Sequence, residues 1–289
     1  MKKIILMALP LLALCCTSAP NPFPAEARLF DLGSGAPLTR QKAAKAKAVY
    51  GTLQAQLFDS PQSVSFVRFK ESDFRLEVVA AEGPQADSVS ALSLKHGALA
   101  GINGSYFDMR QLLPVTCIKD DGFWTGSTTE GEFFRTNGAV LIDPHKISID
   151  AVRADTTWTG PEATWEVMAS GPILVDEGMA ITYEEGIEGW ESFYARRHPR
   201  SLVGTDAQGY VWLVVVDGRS EGNAEGMSIA ELTDFALSLG LTDALNLDGG
   251  GSSALWVLPE GIVSHPCDNR TFDKKGQRII PNALVVKEL

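Results

Sequence analysis

The clearest pattern of apolar and polar positions surrounds a run that ends at Asp217. Residues 210–217 are almost continuously apolar, which predicts a strand buried in the middle of a sheet. After it, Ser228 and Glu231 have the spacing of a capping box, apolar residues follow at helical spacing, and a glycine closes the predicted helix. The next apolar run ends at Asp248. Strand, helix and strand suggest a crossover unit, although the long segment after Asp217 leaves the strand pairing open.

Shorter periodic segments predict further elements on either side of this unit. A helix is predicted at residues 88–95. Strands are predicted at residues 98–103, 139–142, 165–169 and 201–205. Upstream, alternation predicts two strands at residues 64–70 and 74–81, joined as a hairpin by a short polar turn.

Residues 38–57 have a different composition, rich in Ala, Lys and Gln. Val49, Leu53 and Leu57 recur at helical spacing, so this segment is predicted to form an amphipathic helix with a weak point at Gly51. Its lysines would form a solvated face.

These elements predict an α+β protein. The expected architecture is a mixed α/β body with a central mixed sheet at residues 88–289, preceded by a smaller helix-plus-hairpin segment at residues 38–87. Residues 17–37 are assigned to a tether, because residues 17–28 contain three prolines and lack a periodic apolar pattern.

The first 16 residues are expected to direct export. Lys2 and Lys3 precede an apolar stretch at residues 4–14 that is short for a membrane span. This stretch leads into Cys15 and Cys16 and resembles a bacterial lipoprotein signal, in which the cysteine after the signal carries the lipid. Either cysteine could be that residue, and the alternative is an ordinary cleaved secretory signal. We therefore expect an exported protein of the bacterial envelope, anchored to the membrane by lipid at Cys15 or Cys16.

Composition limits the remaining choices. The 289 residues are 45% hydrophobic, enough for a sizeable core, and carry a net charge of −11. This charge argues against nucleic acid or anionic lipid as the main partner. It leaves room for a phosphate-bearing small substrate held locally. Cys117 and Cys267 remain after the signal, and the sequence is equally compatible with a disulfide between them or with two thiols.

The candidate chemistry is concentrated after the strand that delivers Asn246 and Asp248. Strand periodicity places these two side chains on one face, and the glycines at residues 249–251 allow a tight turn that brings the backbone close to a ligand. Ser252 follows directly. The run lacks the lysine of a phosphate-binding Walker A loop and the third glycine of a dinucleotide fingerprint. The chain also has no Gly-x-Ser-x-Gly elbow and no zinc-binding spacing of His or Cys. A polar, anionic or hydroxylated ligand is the expectation.

Three more segments have the same polar character. They are residues 101–108, with Asn103 and Tyr106; residues 197–201, with His198 and Arg200; and residues 217–222, with Asp217, Arg219 and Glu221. Each alone is more typical of a satisfied turn or a surface ion pair. Together they supply the carboxylates, arginines and amides that cleavage of a sugar phosphodiester requires. Of the four histidines, only His198 and His265 flank such motifs.

In this order the motifs resemble the phosphodiester glycosidase family, the family of the mammalian uncovering enzyme. The resemblance rests on residues 200–204, 217–219 and 246–252, on the turn at residues 103–107, and on a closing strand at residues 281–283. It extends from about residue 98 to the end of the chain. The turn departs from the family pattern at Ser105 and Tyr106.

The resemblance implies hydrolysis of a sugar-1-phosphodiester at the glycosidic bond, with release of a sugar and a phosphomonoester. Asp248 and Asp217 are the expected catalytic carboxylates, with Glu221 in reserve. The remaining candidates are expected to bind the substrate: Asn103, Tyr106, Arg200, Arg219, Asn246, Gly249, Gly250, Gly251 and Ser252. Arg200 would hold the phosphate, the glycine N–H groups would add donors, and Tyr106 would stack against the sugar ring. No cofactor is certain, but the three carboxylates could hold a divalent cation.

Two other functions remain open at this point. An exported lipoprotein could bind glycans or phosphoglycans without cleaving them, and an assembly factor could transfer the sugar to another hydroxyl. The presence of both aspartates and of the whole glycine turn favours hydrolysis.

Overall fold

The structure is a computed structural model that describes residues 21–143, 146–152 and 166–289. The predicted export signal at residues 1–16 and the first residue of the strand predicted at 165–169 lie outside the described residues.

The strands are numbered in chain order. The first ten are β1 (Arg28–Asp31), β2 (Pro37–Leu38), β3 (Ala48–Leu57), β4 (Ser60–Lys70), β5 (Phe74–Ala80), β6 (Ala100–Asn103), β7 (Phe107–Asp108), β8 (Leu113–Pro114), β9 (Ile118–Asp120) and β10 (Phe123–Gly126). The others are β11 (Gly138–Asp143), β12 (Lys146–Ala151), β13 (Glu166–Ser170), β14 (Ile173–Asp176), β15 (Met179–Ala180), β16 (Arg200–Asp206), β17 (Tyr210–Val216), β18 (Leu241–Asn246), β19 (Leu255–Val257), β20 (Gly261–Ile262) and β21 (Asn282–Glu288).

Helices are few and short in the described part of the chain. The α-helices are α1 (Arg40–Ala43), α2 (Val89–Lys95) and α3 (Ile229–Ser238). Single turns of 3₁₀ helix occur at Gly83–Gln85, Glu130–Glu132 and Gly250–Ser252, and a π-helical turn occurs at Trp190–Tyr194. None of the helices in residues 21–143, 146–152 and 166–289 has the length and apolar character needed to cross a membrane.

Three large sheets and a two-stranded sheet of β7 and β8 build the described body. The large sheet has the strand order β15-β14-β18-β16-β17-β4-β3-β1-β2, and every neighbouring pair in it is antiparallel. The second sheet has the order β10-β9-β13-β11-β12, and the third has the order β20-β19-β6-β21-β5. Both are also antiparallel throughout. The prediction of a single central mixed sheet is therefore wrong, although sheets and helices do combine in one body.

The main core fills the space between the large sheet and the other two. Alternate residues of β17, such as Leu213, point into this core, whereas their neighbours, such as Trp212, point to the opposite face of the large sheet. That opposite face packs against α3 and the first described residues of the chain, including Phe23. The predicted buried strand at residues 210–217 is confirmed, because β17 is apolar on both faces and lies inside the large sheet.

The predicted helix after β17 is confirmed in detail. The Ser228 Oγ accepts a hydrogen bond from the Glu231 N–H at 3.2 Å, and the Glu231 carboxylate accepts one from the Ser228 N–H at 2.9 Å. β17 and β18 are both antiparallel to β16, which lies between them, so they run in the same direction. The crossover unit therefore exists, but its two strands are separated by one strand.

The helix predicted at residues 38–57 is wrong. Only α1 is helical there, and β3 occupies Ala48–Leu57. Val49 and Leu53 are four residues apart, an even spacing that places them on one face of a strand as well as on one face of a helix. Gly51 is not a weak point of a helix; a Cβ there would meet the Phe66 ring on β4, so the glycine permits close packing.

The predicted hairpin of residues 64–70 and 74–81 is also wrong, although both strands exist. β4 pairs with β3 and β17 in the large sheet, whereas β5 pairs with β21 in the third sheet. The polar turn between them therefore connects two sheets. Within the predicted tether, Phe23 is buried and residues 28–31 and 37–38 form β1 and β2.

The other predicted elements are present with small shifts at their ends. They are α2 and the strands β6, β11, β13 and β16. Cys117 and Cys267 do not form a disulfide, which leaves both as thiols.

Candidate functional site

Several polar segments meet at one edge of the large sheet. β16 begins at Arg200, while β17 and β18 end at this same edge because they run antiparallel to β16. Asp217 and Asp248 follow the ends of β17 and β18. Since strands are spaced by about 4.8 Å, the ends of β17 and β18 lie about 10 Å apart. The backbone of these motifs therefore meets at one edge of the sheet, although their side chains have different partners.

The glycine turn is held by its own backbone. Gly249 N–H donates to the Asp248 Oδ1 at 2.8 Å, and Gly250 N–H donates to the Pro199 carbonyl at 2.9 Å. These two N–H groups thus have partners within the turn, and their predicted contact with substrate stays a prediction. Gly250 has a φ of +62°, and a Cβ on Gly251 would lie 2.2 Å from the Arg278 Nη2. Only glycine fits these two positions without displacing a neighbour.

Asp248 is the carboxylate at the centre of this turn. Burial raises its pKa above the ordinary value. A hydrogen bond from the Ser252 side chain and the charges of Arg135 and Arg278 oppose that rise. The carboxyl group is thus desolvated but surrounded by groups that favour its ionised form, as expected of a group that exchanges a proton or contacts a cationic centre.

A second carboxylate, which the sequence did not indicate, lies near Asp248. Glu132 accepts hydrogen bonds through its Oε2 from Arg135, with distances of 2.7 Å to Nε and 2.6 Å to Nη2. Burial raises the pKa of Glu132, Arg135 opposes this, and the charge of Asp248 adds to the rise. Arg135 therefore contacts one partly buried carboxylate, Glu132, and its charge also acts on a second, Asp248. Neither Glu132 nor Arg135 belongs to a glycine motif or a strand end, so no pattern in the sequence marked them.

Asn103 has a structural role. Its Oδ1 accepts hydrogen bonds from the Ser201 hydroxyl at 2.7 Å and the Ala254 N–H at 3.2 Å, and its Nδ2 donates to the Asp248 carbonyl at 2.7 Å. The residue is 1% exposed. Its amide ties β6 and β16 to the backbone of the glycine turn, so the structure supports a positioning role for Asn103, and its predicted contact with substrate stays a prediction.

Tyr106 and Asn246 form a second buried network. The Tyr106 hydroxyl donates to the Gly171 carbonyl at 2.5 Å, and Asn246 Nδ2 donates to the same carbonyl at 2.7 Å. The Arg135 guanidinium lies 3.8 Å from the centre of the Tyr106 ring. Burial raises the pKa of Tyr106, so the phenol stays neutral. The Tyr106 ring is buried and lies against Arg135, and Asn246 is also buried, so their predicted contacts with substrate stay predictions.

Arg200 is buried beneath the site. Its Nε donates to the Met227 carbonyl at 2.9 Å, and its Nη2 donates to the carbonyls of Phe193 and Arg196 at 2.6 and 3.0 Å. Burial lowers the pKa of Arg200 to about 10, which still leaves it charged at neutral pH. Three carbonyls thus accept hydrogen bonds from Nε and Nη2, so the structure gives Arg200 partners within the fold, and its predicted contact with phosphate stays a prediction.

Two other arginines lie at the glycine turn. Arg219 is exposed; its Nη2 is 3.3 Å from His198 Nδ1 and 2.9 Å from the position that a Cβ on Gly250 would occupy. Arg278 Nη1 is 3.4 Å from the Ser252 hydroxyl, and its Nη2 donates to Asp268 at 2.5 Å. These cations, of which the sequence indicated only Arg219, can contact an anion beside the turn.

Asp217 and Glu221 do not join Asp248. The Asp217 carboxylate accepts hydrogen bonds from the Ser63 hydroxyl at 2.7 Å, the His265 N–H at 2.7 Å and His265 Nδ1 at 2.8 Å. Glu221 is exposed on a loop. In the described part of the chain no three His, Cys, Asp or Glu side chains are grouped to hold a metal ion, so the three predicted carboxylates do not form a ligand set.

A separate apolar cavity of about 270 Å³ lies beside α3 and the π-helical turn, lined in part by Tyr183, Trp190 and Tyr194. It contains none of the polar residues at the glycine turn. Its size therefore carries less weight for function than the convergence of charged groups around Asp248.

The part of the chain that builds this site matches a known family. The family model described as phosphodiester glycosidase covers residues 96–287, about two thirds of the chain. The chain therefore belongs to the phosphodiester glycosidase family.

Named relatives agree with this assignment over a shorter stretch. Across 105 residues the chain is 34% identical to the N-acetylglucosamine-1-phosphodiester alpha-N-acetylglucosaminidase of Bos taurus and 31% identical to that of Homo sapiens. The match covers 36% of this chain, and 19% and 20% of the two relatives. The match thus spans about a fifth of the length of these relatives.

Solved structures share the fold. The catalytic domain of the zebrafish N-acetylglucosamine-1-phosphodiester alpha-N-acetylglucosaminidase, auto-inhibited by its pro-peptide, superposes with a TM-score of 0.66 at 18% identity, covering 91% of this chain and 88% of that chain. A hypothetical protein from Synechocystis superposes with a TM-score of 0.61 at 15% identity, covering 83% and 62%. At these identities the likeness establishes the fold alone.

Proposed function

We propose that this protein hydrolyses a sugar-1-phosphodiester at the glycosidic bond, releasing a free sugar and a phosphomonoester. The observation that carries the proposal is the cluster at the glycine turn, where Glu132 forms an ion pair with Arg135 and the charges of both residues act on the Asp248 carboxylate. Glycosidic cleavage requires one carboxylic acid that donates a proton and one carboxylate that acts as base or nucleophile, and this cluster supplies two carboxyl groups. The family match and the named relatives support the substrate class.

The proposed reaction assigns one role to each carboxylate. Asp248 takes a proton from a water molecule as the water attacks the anomeric carbon. The bond between that carbon and the phosphate oxygen breaks, and its electron pair leaves with the oxygen. Glu132 donates a proton to that oxygen. In this proposal Glu132, and not Asp217, is the second catalytic carboxylate beside Asp248. A phosphomonoester is already a good leaving group, which limits the help that it needs.

The phosphate is proposed to bind beside the turn. Arg219 and Arg278 supply cations there, and a guanidinium matches the geometry of two phosphate oxygens. Arg135 favours the ionised form of Asp248, which acts as the base, while burial outweighs the charge of Arg135 at Glu132 and keeps the pKa of this general acid raised. The sugar would then lie over Asp248 and Ser252.

The location of the activity is part of the proposal. We expect the chain to be exported and held in the bacterial envelope by lipid on Cys15 or Cys16, as its first 16 residues suggest. Labelling of the intact chain by a radioactive fatty acid, and loss of the label when both cysteines are changed to serine, would test this.

Sugar release by the purified chain is the decisive experiment. N-acetylglucosamine-1-phosphodiesters, including UDP-N-acetylglucosamine, would be offered to the wild type and to Asp248→Asn, Glu132→Gln and Asp217→Asn. Loss of a general acid or base lowers turnover by about 10²- to 10⁴-fold. We expect this loss in the first two variants, and a smaller one in Asp217→Asn. Glu130→Gln is the control, because Glu130 is exposed on the same helical turn.

Other results would change the assignment. Full activity in Asp248→Asn would contradict the role of the turn, and loss in Asp217→Asn with full activity in Glu132→Gln would restore the original pair. Sugar phosphodiesters that bind but stay intact would favour the glycan-binding lipoprotein. Inhibition by EDTA would add a divalent cation to the mechanism.

A further inference from the structure

A second polar site lies further along the same edge of the large sheet. A cavity of about 400 Å³ opens between the ends of β1, β3 and β4 and the segment of residues 263–274. Its lining residues are Glu26, Arg28, Thr52, Leu53, Gln54, Ser63, Ser65, Val263, His265 and Lys274. None of the groups assigned above to phosphate binding or to bond cleavage is among them.

The floor of the cavity is polar where a core residue would be expected. On the inner face of the large sheet, Tyr50 lies opposite Val67 within the main core. The next pairs along the same face are Thr52 with Ser65 and Gln54 with Ser63. An inner sheet face that changes from apolar side chains to hydroxyls and an amide suits a hydrophilic ligand rather than protein packing.

One wall holds a histidine in a fixed orientation. Asp217 is 1% exposed, and it accepts hydrogen bonds from Ser63 and from both the backbone and the Nδ1 of His265. The His265 ring stacks on Phe272, with 4.0 Å between ring centres. Because Nδ1 is committed to the carboxylate, Nε2 is the ring nitrogen left to bond a ligand. This arrangement gives Asp217 a role that does not involve Asp248.

The charged groups at the rim favour an anion. Arg28 and Lys274 are both exposed at the cavity, and neither forms an ion pair with another described residue. Glu26 is the one carboxylate among the lining residues. The exposed rim thus carries two cations against one carboxylate, although the whole chain has a net charge of −11; the Asp217 carboxylate behind His265 is buried and already accepts three hydrogen bonds.

We propose that this cavity is a second binding site, for an anionic and polyhydroxylated small molecule of about the size of a hexose phosphate. Lys274 and Arg28 contact the anionic group, while Gln54, Thr52 and the Nε2 of His265 bond hydroxyls. The cavity is at the lower end of the size range of ligand sites. The proposal stands apart from the hydrolytic reaction, since it requires no chemistry at Asp248.

Calorimetric titration of the full chain with glucose 6-phosphate tests this site. Glucose and inorganic phosphate are titrated separately, because each carries one half of the proposed chemistry. We expect glucose 6-phosphate to bind at least fivefold more tightly than either. Lys274→Ala and Gln54→Ala, both at exposed positions that leave the core intact, should each weaken its binding at least fivefold.

Two controls locate the binding. Lys275→Ala removes a neighbouring exposed cation that does not line the cavity, and it should leave the affinity unchanged. Arg278→Ala removes a cation from the glycine turn, and it should also leave the affinity unchanged. Loss of binding in Arg278→Ala but not in Lys274→Ala would move the ligand to the glycine turn and overturn the proposal. Equal affinity for inorganic phosphate, or no binding by the wild type, would overturn it as well.

Discussion

Replacement of Asn103 by alanine separates the two roles that this residue could have. Three hydrogen bonds shorter than 3.3 Å join its buried amide to Ser201, Ala254 and Asp248. Each buried partner left without a hydrogen bond costs about 1–3 kcal/mol. Because the neighbours can relax and water can enter the space, we expect the free energy of unfolding to fall by about 3–5 kcal/mol, a large part of the stability of a typical domain.

Urea unfolding followed by tryptophan fluorescence measures this loss, and sugar release under folding conditions measures the effect on catalysis. We expect a lower urea midpoint with an unchanged slope. Turnover should fall because the Asp248 backbone loses its tie to β6, while KM changes little. Asn223→Ala is the matched control, since Asn223 is exposed and bonds only to nearby Ser220 in the described structure.

The opposite pattern would refute this reasoning. If Asn103→Ala unfolds at the urea midpoint of the wild type and raises KM tenfold, the amide binds the sugar, as the sequence alone suggested. The network described above would then not hold in solution.

Further predictions concern pH and the glycine turn. Burial raises the pKa of Glu166 to about 7, and the charges of neighbouring carboxylates add to this, whereas an unfolded glutamate titrates near 4.5. Between these two pKa values only the folded state keeps the proton, so the free energy of unfolding falls as pH rises. Glu166→Gln removes the ionisable group and should stabilise the protein by about 1–3 kcal/mol above pH 7. Urea unfolding at several pH values should show this gain disappearing towards pH 4.5. The exposed control Glu288→Gln should show no such trend. Gly251→Ala should displace the flexible Arg278 side chain. We expect kcat/KM to fall about tenfold with little change in the urea midpoint. An unchanged kcat/KM would contradict the proposed phosphate contact of Arg278. Since burial raises the pKa of Asp248, loss of activity on acidification should begin above the ordinary pH range of a carboxylate, and a loss confined to pH below about 4 would contradict its role as base.

The elements that sequence predicted well are those with redundant local signals. α3 combines a capping box with an apolar face. β17 is apolar at consecutive positions, which indicates a strand buried on both faces. The helix prediction for residues 38–57 was wrong because the spacing of their apolar residues fits both a helix and a strand. Their content of Ala, Lys and Gln then favoured the helix. The prediction that β4 and β5 form a hairpin was wrong because β5 pairs with β21, which lies more than 200 residues away in the chain.

The site shows the same limit. The sequence located the glycine turn and Asp248, because a polar turn after an apolar strand is a local signal. It could not tell which polar side chains are already hydrogen-bonded within the fold, as those of Arg200 and Asn103 are. Glu132, Arg135 and Arg278 reach the turn only through the fold, and no local pattern distinguishes them from surface charges.

The burial of Phe23 sets a limit on the reach of an anchored enzyme. Its ring packs against Phe66 and Trp212, so the folded body already includes this residue. With lipid on Cys15 or Cys16, about six or seven residues would separate the anchor from the body. Even fully extended, such a chain spans only about 25 Å. A protein anchored by so short a segment would meet only those substrates that lie within a thin layer at the membrane surface, which it would reach by lateral diffusion in the membrane.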